Sequence, residues 1–207
     1  WRPRDRGMLA GMHLTTSSLV LALACGLTAQ NQGLKLSSAT PANLEIKYNP
    51  TVIPTTGVTV EAWITYDETT LPAGYRWPTI VRQNPAPGAE TFMLRVDASN
   101  TANRNLKWFV RTSTGGLTVI WTFPAVPLKT WTHVTAAYDG TTARLIVDGV
   151  EVGNRAGSPG TLVNAGNELR IGNGDTVAPI ETWNGELDEV RLWPFARTAK
   201  ESRNTKD

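Results

Sequence analysis

The sequence is poor in cysteine, histidine and charge. Cys25 is the only cysteine in 207 residues, so the chain can form no internal disulfide and no cysteine-based zinc site. His13 and His133 are the only histidines, which excludes a multi-histidine metal centre. Charged residues make up 18%, too few for a charge-driven disordered chain or a long coiled coil. A basic excess is also missing from most of the chain. Of 20 basic and 18 acidic residues, Arg2, Arg4, Arg6 and Asp5 lie in the first 29; the remainder is 17 against 17. Nothing global therefore points to a nucleic-acid partner.

Hydrophobic runs are short as well. Residues 19–27, LVLALACGL, follow three arginines and precede Thr28 and Ala29. A basic start, an apolar stretch of roughly 7–15 residues and a small residue at the cut describe a secretory signal. The run is too short for a membrane span of roughly 20 residues. Cleavage is expected near Ala29 and Gln30, making 1–29 a signal region. Met8 or Met12 is a better start than Trp1, so residues 1–11 read as an over-extended start, although Met12 leaves no Lys or Arg before the apolar core. Cys25 sits near the place of a bacterial lipoprotein's lipidated cysteine. Ala22 stands where Leu is expected and Leu23 where a small residue is, so lipid anchoring is not expected. A mature chain without cysteine suits a bacterial exported protein, secreted, periplasmic or on the cell surface.

What is abundant is strand-like alternation. In residues 58–66, Val58, Val60, Ala62 and Ile64 share a face. Phe92, Leu94 and Val96 do so in 91–97, and Leu106, Trp108 and Val110 in 106–112. Leu117, Val119, Trp121 and Phe123 alternate in 117–123, and Val134, Ala136 and Tyr138 in 133–139. Further runs are 144–148, 168–171 and 187–193. Period-two alternation marks strands with one buried face. Asp139-Gly140 and Asp148-Gly149 predict tight hairpin turns between runs. Many short strands at this spacing imply one all-β, two-sheet antiparallel jelly-roll sandwich over 30–201. Residues 197–207 read as a short helical turn and a tail, with 202–207 polar.

The order of these blocks carries a resemblance. Residues 58–64, VTVEAWI, resemble the opening strand of laminin G-like jelly rolls. Trp131-Thr132-His133-Val134, Tyr138-Asp139-Gly140 and residues 144–149 resemble the central hairpins, and 169–172 with 185–193 the closing strands. Over 33–201 the chain resembles the concanavalin A-like lectin/glucanase superfamily, of the laminin G-like, pentraxin-like kind. The resemblance implies a secreted module that binds glycans or proteins, often with calcium.

The catalytic option is weak on the residues. Residues 186–190, ELDEV, resemble the Glu-x-Asp-x-Glu strand of laminarinase-like glucanases. A retaining glycosidase needs two carboxyls roughly 5–5.5 Å apart. Here Val190 stands where the second acid belongs, and no Gly-x-Ser-x-Gly elbow exists. Asp188 and Glu189 are expected to pair with Arg191 or Arg170 or to accept backbone hydrogen bonds, and His133 to be a packed structural residue. Calcium, which the resemblance implies, falls on Asn173 and Asp175, with Asn84 and Glu90 facing them across the rim. Asn173, Gly174 and Asp175 read equally as turn formers. Tyr75, Trp77 and Trp183 lie in loops and either offer a face to a sugar or plug the end of the sandwich. Trp63, Trp108, Trp121, Trp131 and Trp193 read as core or sheet-face residues. The first reading is a non-catalytic exported module binding a glycan through rim loops 67–90 and 173–184. The alternative is a structural or protein-interaction domain of the cell surface with no small ligand.

Overall fold

A computed structural model describes residues 19–20, 33–49, 54–69, 76–83, 90–99, 104–114, 117–121, 125–163, 166–174 and 181–205. The strands among them are β1 (Leu19–Val20), β2 (Leu34–Leu36), β3 (Leu44–Ile46), β4 (Val58–Tyr66), β5 (Thr79–Gln83), β6 (Phe92–Asp97) and β7 (Asn105–Arg111). They continue with β8 (Leu117–Trp121), β9 (Thr132–Tyr138), β10 (Thr142–Val147), β11 (Val150–Ala156), β12 (Leu169–Ile171) and β13 (Gly185–Trp193), followed by α1 (Ala199–Thr205).

Two antiparallel sheets result. The first runs β1-β13-β4-β9-β10-β11, with β2 also paired to β13, and the second runs β3-β12-β5-β6-β7-β8. Val58, Val60, Ala62 and Ile64 of β4 face Phe92, Leu94, Trp108 and Val110 of the other sheet within one buried cluster. Burying each large apolar side chain is worth roughly 1.5–3 kcal/mol, the main force opposing chain entropy. The hairpins expected from sequence are present. β9 and β10 pair across Asp139-Gly140, with Gly140 at φ 96°. β10 and β11 pair Val147 with Val150 across Asp148 (φ 49°) and Gly149 (φ 75°). Two successive left-handed residues form the turn whose twist matches a hairpin.

Three short strands carry no alternation in the sequence, and the second arm of the Asp148-Gly149 hairpin has none either. That arm, β11, is an exposed edge strand. β5 is buried on both faces and bulges between Thr79 and Val81, so it shows no alternation either. β2 and β3 have three residues each.

The outer face of the first sheet is partly covered by the chain after β13. Thr59 Oγ1 donates to Phe195 O at 2.7 Å and accepts from Arg197 N at 2.9 Å. Thr198 begins α1 with a capping box. Its Oγ1 accepts from Glu201 N at 3.3 Å, while Glu201 Oε2 accepts from Thr198 N at 2.8 Å. The helix then lies on β9, with Ser202 and Thr135 hydroxyls 2.6 Å apart. The rest of that face stays accessible beside β2, β4 and β13.

Candidate functional site

Two places bring polar and aromatic side chains together. The first lies on the second sheet, where an outward residue of β5 meets the loops at its end. Arg82 is buried there, its side chain 3% exposed. Its Nη1 donates to Gly174 O at 2.7 Å and Glu181 Oε2 at 2.9 Å, and its Nη2 to Glu90 Oε1 at 3.1 Å. Arg111 Nη2 stands 3.7 Å from Glu90 Oε2, and Arg95 Nη1 3.7 Å from Glu181 Oε1. The Arg95 guanidinium is itself stacked between Trp77, at 5.3 Å, and Phe109, at 4.6 Å. Burial works against the Arg95 charge and lowers its pKa, and the Glu181 carboxylate offsets part of that effect. Gly174 leaves room for this arrangement: a Cβ there would stand 2.2 Å from Glu181 Oε2 and would push that carboxylate aside.

The structure thus gathers three of the rim residues named from sequence. Glu90 does reach across to the segment holding Asn173 and Gly174, but both ends meet on a guanidinium. Asn173 is buried and forms a bridge with Thr182. Trp77 is half-buried against Arg95. Tyr75, Asn84 and Asp175 lie outside the described residues.

Trp183 is a correction. It is 0% exposed, so it offers no face to a ligand. Trp183 N donates to Gly172 O at 2.7 Å, which turns the indole inward. Its Nε1 then donates to Thr65 O at 3.0 Å, and the ring packs 5.2 Å from Tyr66. It is the end plug of the sandwich. Glu189 pairs with Arg191, as the sequence suggested, and His133 packs edge-on to Trp63 at 5.2 Å.

The second place is a recess of about 420 Å³ on the outer face of the first sheet. Trp131 forms one wall and is 43% exposed. The ring edge rests on Gly33, where a Cβ would come within 3.2 Å of Trp131 Cη2. Lys35, Asp67, Lys129 and Glu186 line the rest, with Asn184 and Gly185 beneath. The backbone is unusual here. Lys129 is left-handed, at φ 54°, and its N–H donates to Tyr66 O at 2.8 Å. Lys129 Nζ is 3.4 Å from Asp67 Oδ2. Hydrogen bonds from Thr69 hold the Asp67 carboxyl below its ordinary value, against the opposing effect of burial, with help from Lys129. Asn184 fixes the floor: its Nδ2 donates to Asp67 O at 2.6 Å and its Oδ1 accepts from Ser38 N at 3.1 Å. Two cations and two anions line the recess, so it carries no net charge. By contrast, the gap among Ile46, Val60, Val81 and Leu169 is about 10 Å³, a packing void rather than a site.

The alternation groups Trp131 with core or sheet-face tryptophans, and the structure leaves it exposed. The signal was present in the parity of its run. Val134, Ala136 and Tyr138 face inward, which places Trp131 and His133 on the opposite face.

The laminin G-like model described as the concanavalin A-like lectin/glucanases superfamily matches residues 38–201. The chain belongs to this superfamily. No curated protein matches it in sequence. Solved structures share the superfamily fold at low identity. Domain 4 of AbnA, a GH43 extracellular arabinanase from Geobacillus stearothermophilus solved with arabinotriose, is similar at a TM-score of 0.58 and 16% identity, over 78% of this chain and 71% of that one. A heptameric SAP-like pentraxin from Limulus polyphemus is similar at 0.53 and 16%, over 86% and 78%. The NanB sialidase of Streptococcus pneumoniae gives 0.62 and 13%, over 83% of this chain but 27% of the sialidase. At these identities the likeness is one of superfamily fold. No helix among the described residues is long and apolar enough to cross a membrane.

Proposed function

We propose that this chain is a non-catalytic, exported carbohydrate-binding module that holds a neutral sugar in the recess beside Trp131. The observation that carries the reading is an accessible indole next to donors and acceptors of both signs. A sugar presents an apolar C–H face and a rim of hydroxyls. The indole suits the first, and Lys35, Asp67, Lys129 and Glu186 suit the second. The absence of net charge in the recess favours a neutral glycan over a uronate or sialic acid. A similar fold in an arabinanase domain solved with arabinotriose supports the ligand class.

The non-catalytic part rests on the carboxylates of β13. Glu189 is committed to Arg191, and Asp188 Oδ1 accepts from Glu189 N at 2.7 Å. A bulge between Asp188 and Arg191 also breaks the alternation that a catalytic acid pair on one strand requires.

Affinity electrophoresis or a glycan array with the full chain tests the reading. Retention on a neutral polysaccharide is expected to fall at least tenfold in Trp131→Ala with the thermal midpoint lowered by no more than about 4 °C. Retention that survives this change overturns the assignment of the recess.

A further inference from the structure

We infer that Arg82 is the resident cation of the β5 rim, and that this rim keeps its shape without calcium. The superfamily resemblance places calcium near Asn173, Asp175, Asn84 and Glu90. Among the described residues the oxygens of that region already have an occupant. Gly174 O, Glu181 Oε2 and Glu90 Oε1 converge on one guanidinium at 2.7, 2.9 and 3.1 Å. Calcium takes six to eight oxygens at roughly 2.3–2.6 Å. An ion touching these three would have to stand where the Arg82 head stands.

Charge points the same way. Among the described residues, two carboxylates, Glu90 and Glu181, face three guanidiniums, Arg82, Arg95 and Arg111. Arginine does not release its proton, so Glu90 and Glu181 are each already matched by permanent cations. A divalent ion brought to these two carboxylates would stand beside those cations. Asn173 is buried and tied to Thr182, so its backbone is held without an ion. The planar fork instead ties together the three segments that carry Glu90, Gly174 and Glu181. A metal commonly performs that stapling, and here a side chain encoded in β5 does it.

This inference is independent of the sugar reading, since Trp131 lies on the other sheet. Thermal unfolding of the full chain in millimolar calcium and in excess chelator tests it, alongside Arg82→Ala and Arg82→Lys. The wild type is expected to unfold at the same temperature in both solutions. Arg82→Ala leaves two buried carboxylates with less compensation and should lower the midpoint by roughly 10 °C. Arg82→Lys keeps the charge but loses the fork, and should fall between. If Arg82→Ala does not fold, Arg82→Lys carries the comparison. A calcium-dependent rise of several degrees in the wild type that disappears in Asp175→Ala overturns the inference. An Arg82→Ala midpoint equal to that of the wild type also overturns it.

Discussion

Arg197 closes on Glu61 across the outer face of the first sheet, its Nη1 2.6 Å from both carboxylate oxygens. Glu61 is 0% exposed in the middle of β4, and Arg197 comes from the turn that leads into α1. The guanidinium also stacks on Trp193 at 4.5 Å and donates from Nη2 to Glu201 O at 2.6 Å. One side chain therefore satisfies a buried acid and anchors the helix.

Removing one partner leaves an uncompensated buried charge, which costs about 3–5 kcal/mol. Arg197→Met is expected to lose that much in urea unfolding at neutral pH. Burial already pushes the Glu61 carboxyl up, and Arg197 opposes that rise. Without Arg197 the acid protonates more readily, so the loss should shrink as pH falls toward 5. The double variant Glu61→Leu with Arg197→Met should recover most of the loss. A loss independent of pH contradicts this account.

Asp139 supplies a pH dependence of opposite sign. Burial alone would raise its carboxyl, but the Arg144 hydrogen bond, the Thr141 hydroxyl and the N–H groups of Thr142 and Thr141 hold it well below the usual carboxylate range. A depressed folded value contributes stability above the unfolded value near 3.8 and loses it as pH falls through the folded one. Asp139→Asn is expected to lower the thermal midpoint at pH 7. The gap between variant and wild type should narrow steadily below pH 4, as measured by circular dichroism melts.

The two tryptophans that differ most in exposure should separate stability from binding. Trp183→Ala opens a core cavity, typically costing about 3–5 kcal/mol, and strips Thr65 O of its donor. Trp131→Ala removes an exposed ring and should cost under about 1 kcal/mol. Denaturant titration of both variants checks the ordering, and a reversed order contradicts the placement of the indoles.

Gly185 forms the floor of the recess at φ 142°, and a Cβ there would lie 2.1 Å from Thr65 O. Gly166, at φ 71°, has nothing within 4 Å of the same position. Gly166→Ala should cost about 1 kcal/mol, the strain of a left-handed alanine. Gly185→Ala should cost clearly more, because backbone cannot move aside as a flexible side chain can. Comparing their unfolding midpoints tests the close approach directly.

Much of this fold is legible in local pattern. β4 was bounded at both ends by its alternation, and Asp139-Gly140 and Asp148-Gly149 fell where the hairpins turn. The site was less legible because it depends on parity and on distant partners. Trp131 sits outside its strand by one residue, so its face had to be inferred from Val134 and Ala136. Trp183 looked like a loop residue because Asn184 and Gly185 follow it. Only the pairing of its N–H with Gly172 turns it inward. Arg82 reads in the sequence only as one of several basic residues that could form a patch, because its partners come from two distant connections, Glu90 from β5–β6 and Gly174 and Glu181 from β12–β13.

The placement of β13 has a temporal consequence. It pairs with β4 through residues 185–193, yet β4 is complete at Tyr66. During synthesis β4 must wait for β13 to leave the ribosome before that edge is filled. Such non-local pairing slows folding and leaves an open strand edge in the nascent chain. A chain arrested before Gly185 leaves that edge of β4 unpaired, and it lacks Arg197 to neutralise Glu61. Closure of the first sheet therefore waits on the synthesis of β13, long after β4 has been made.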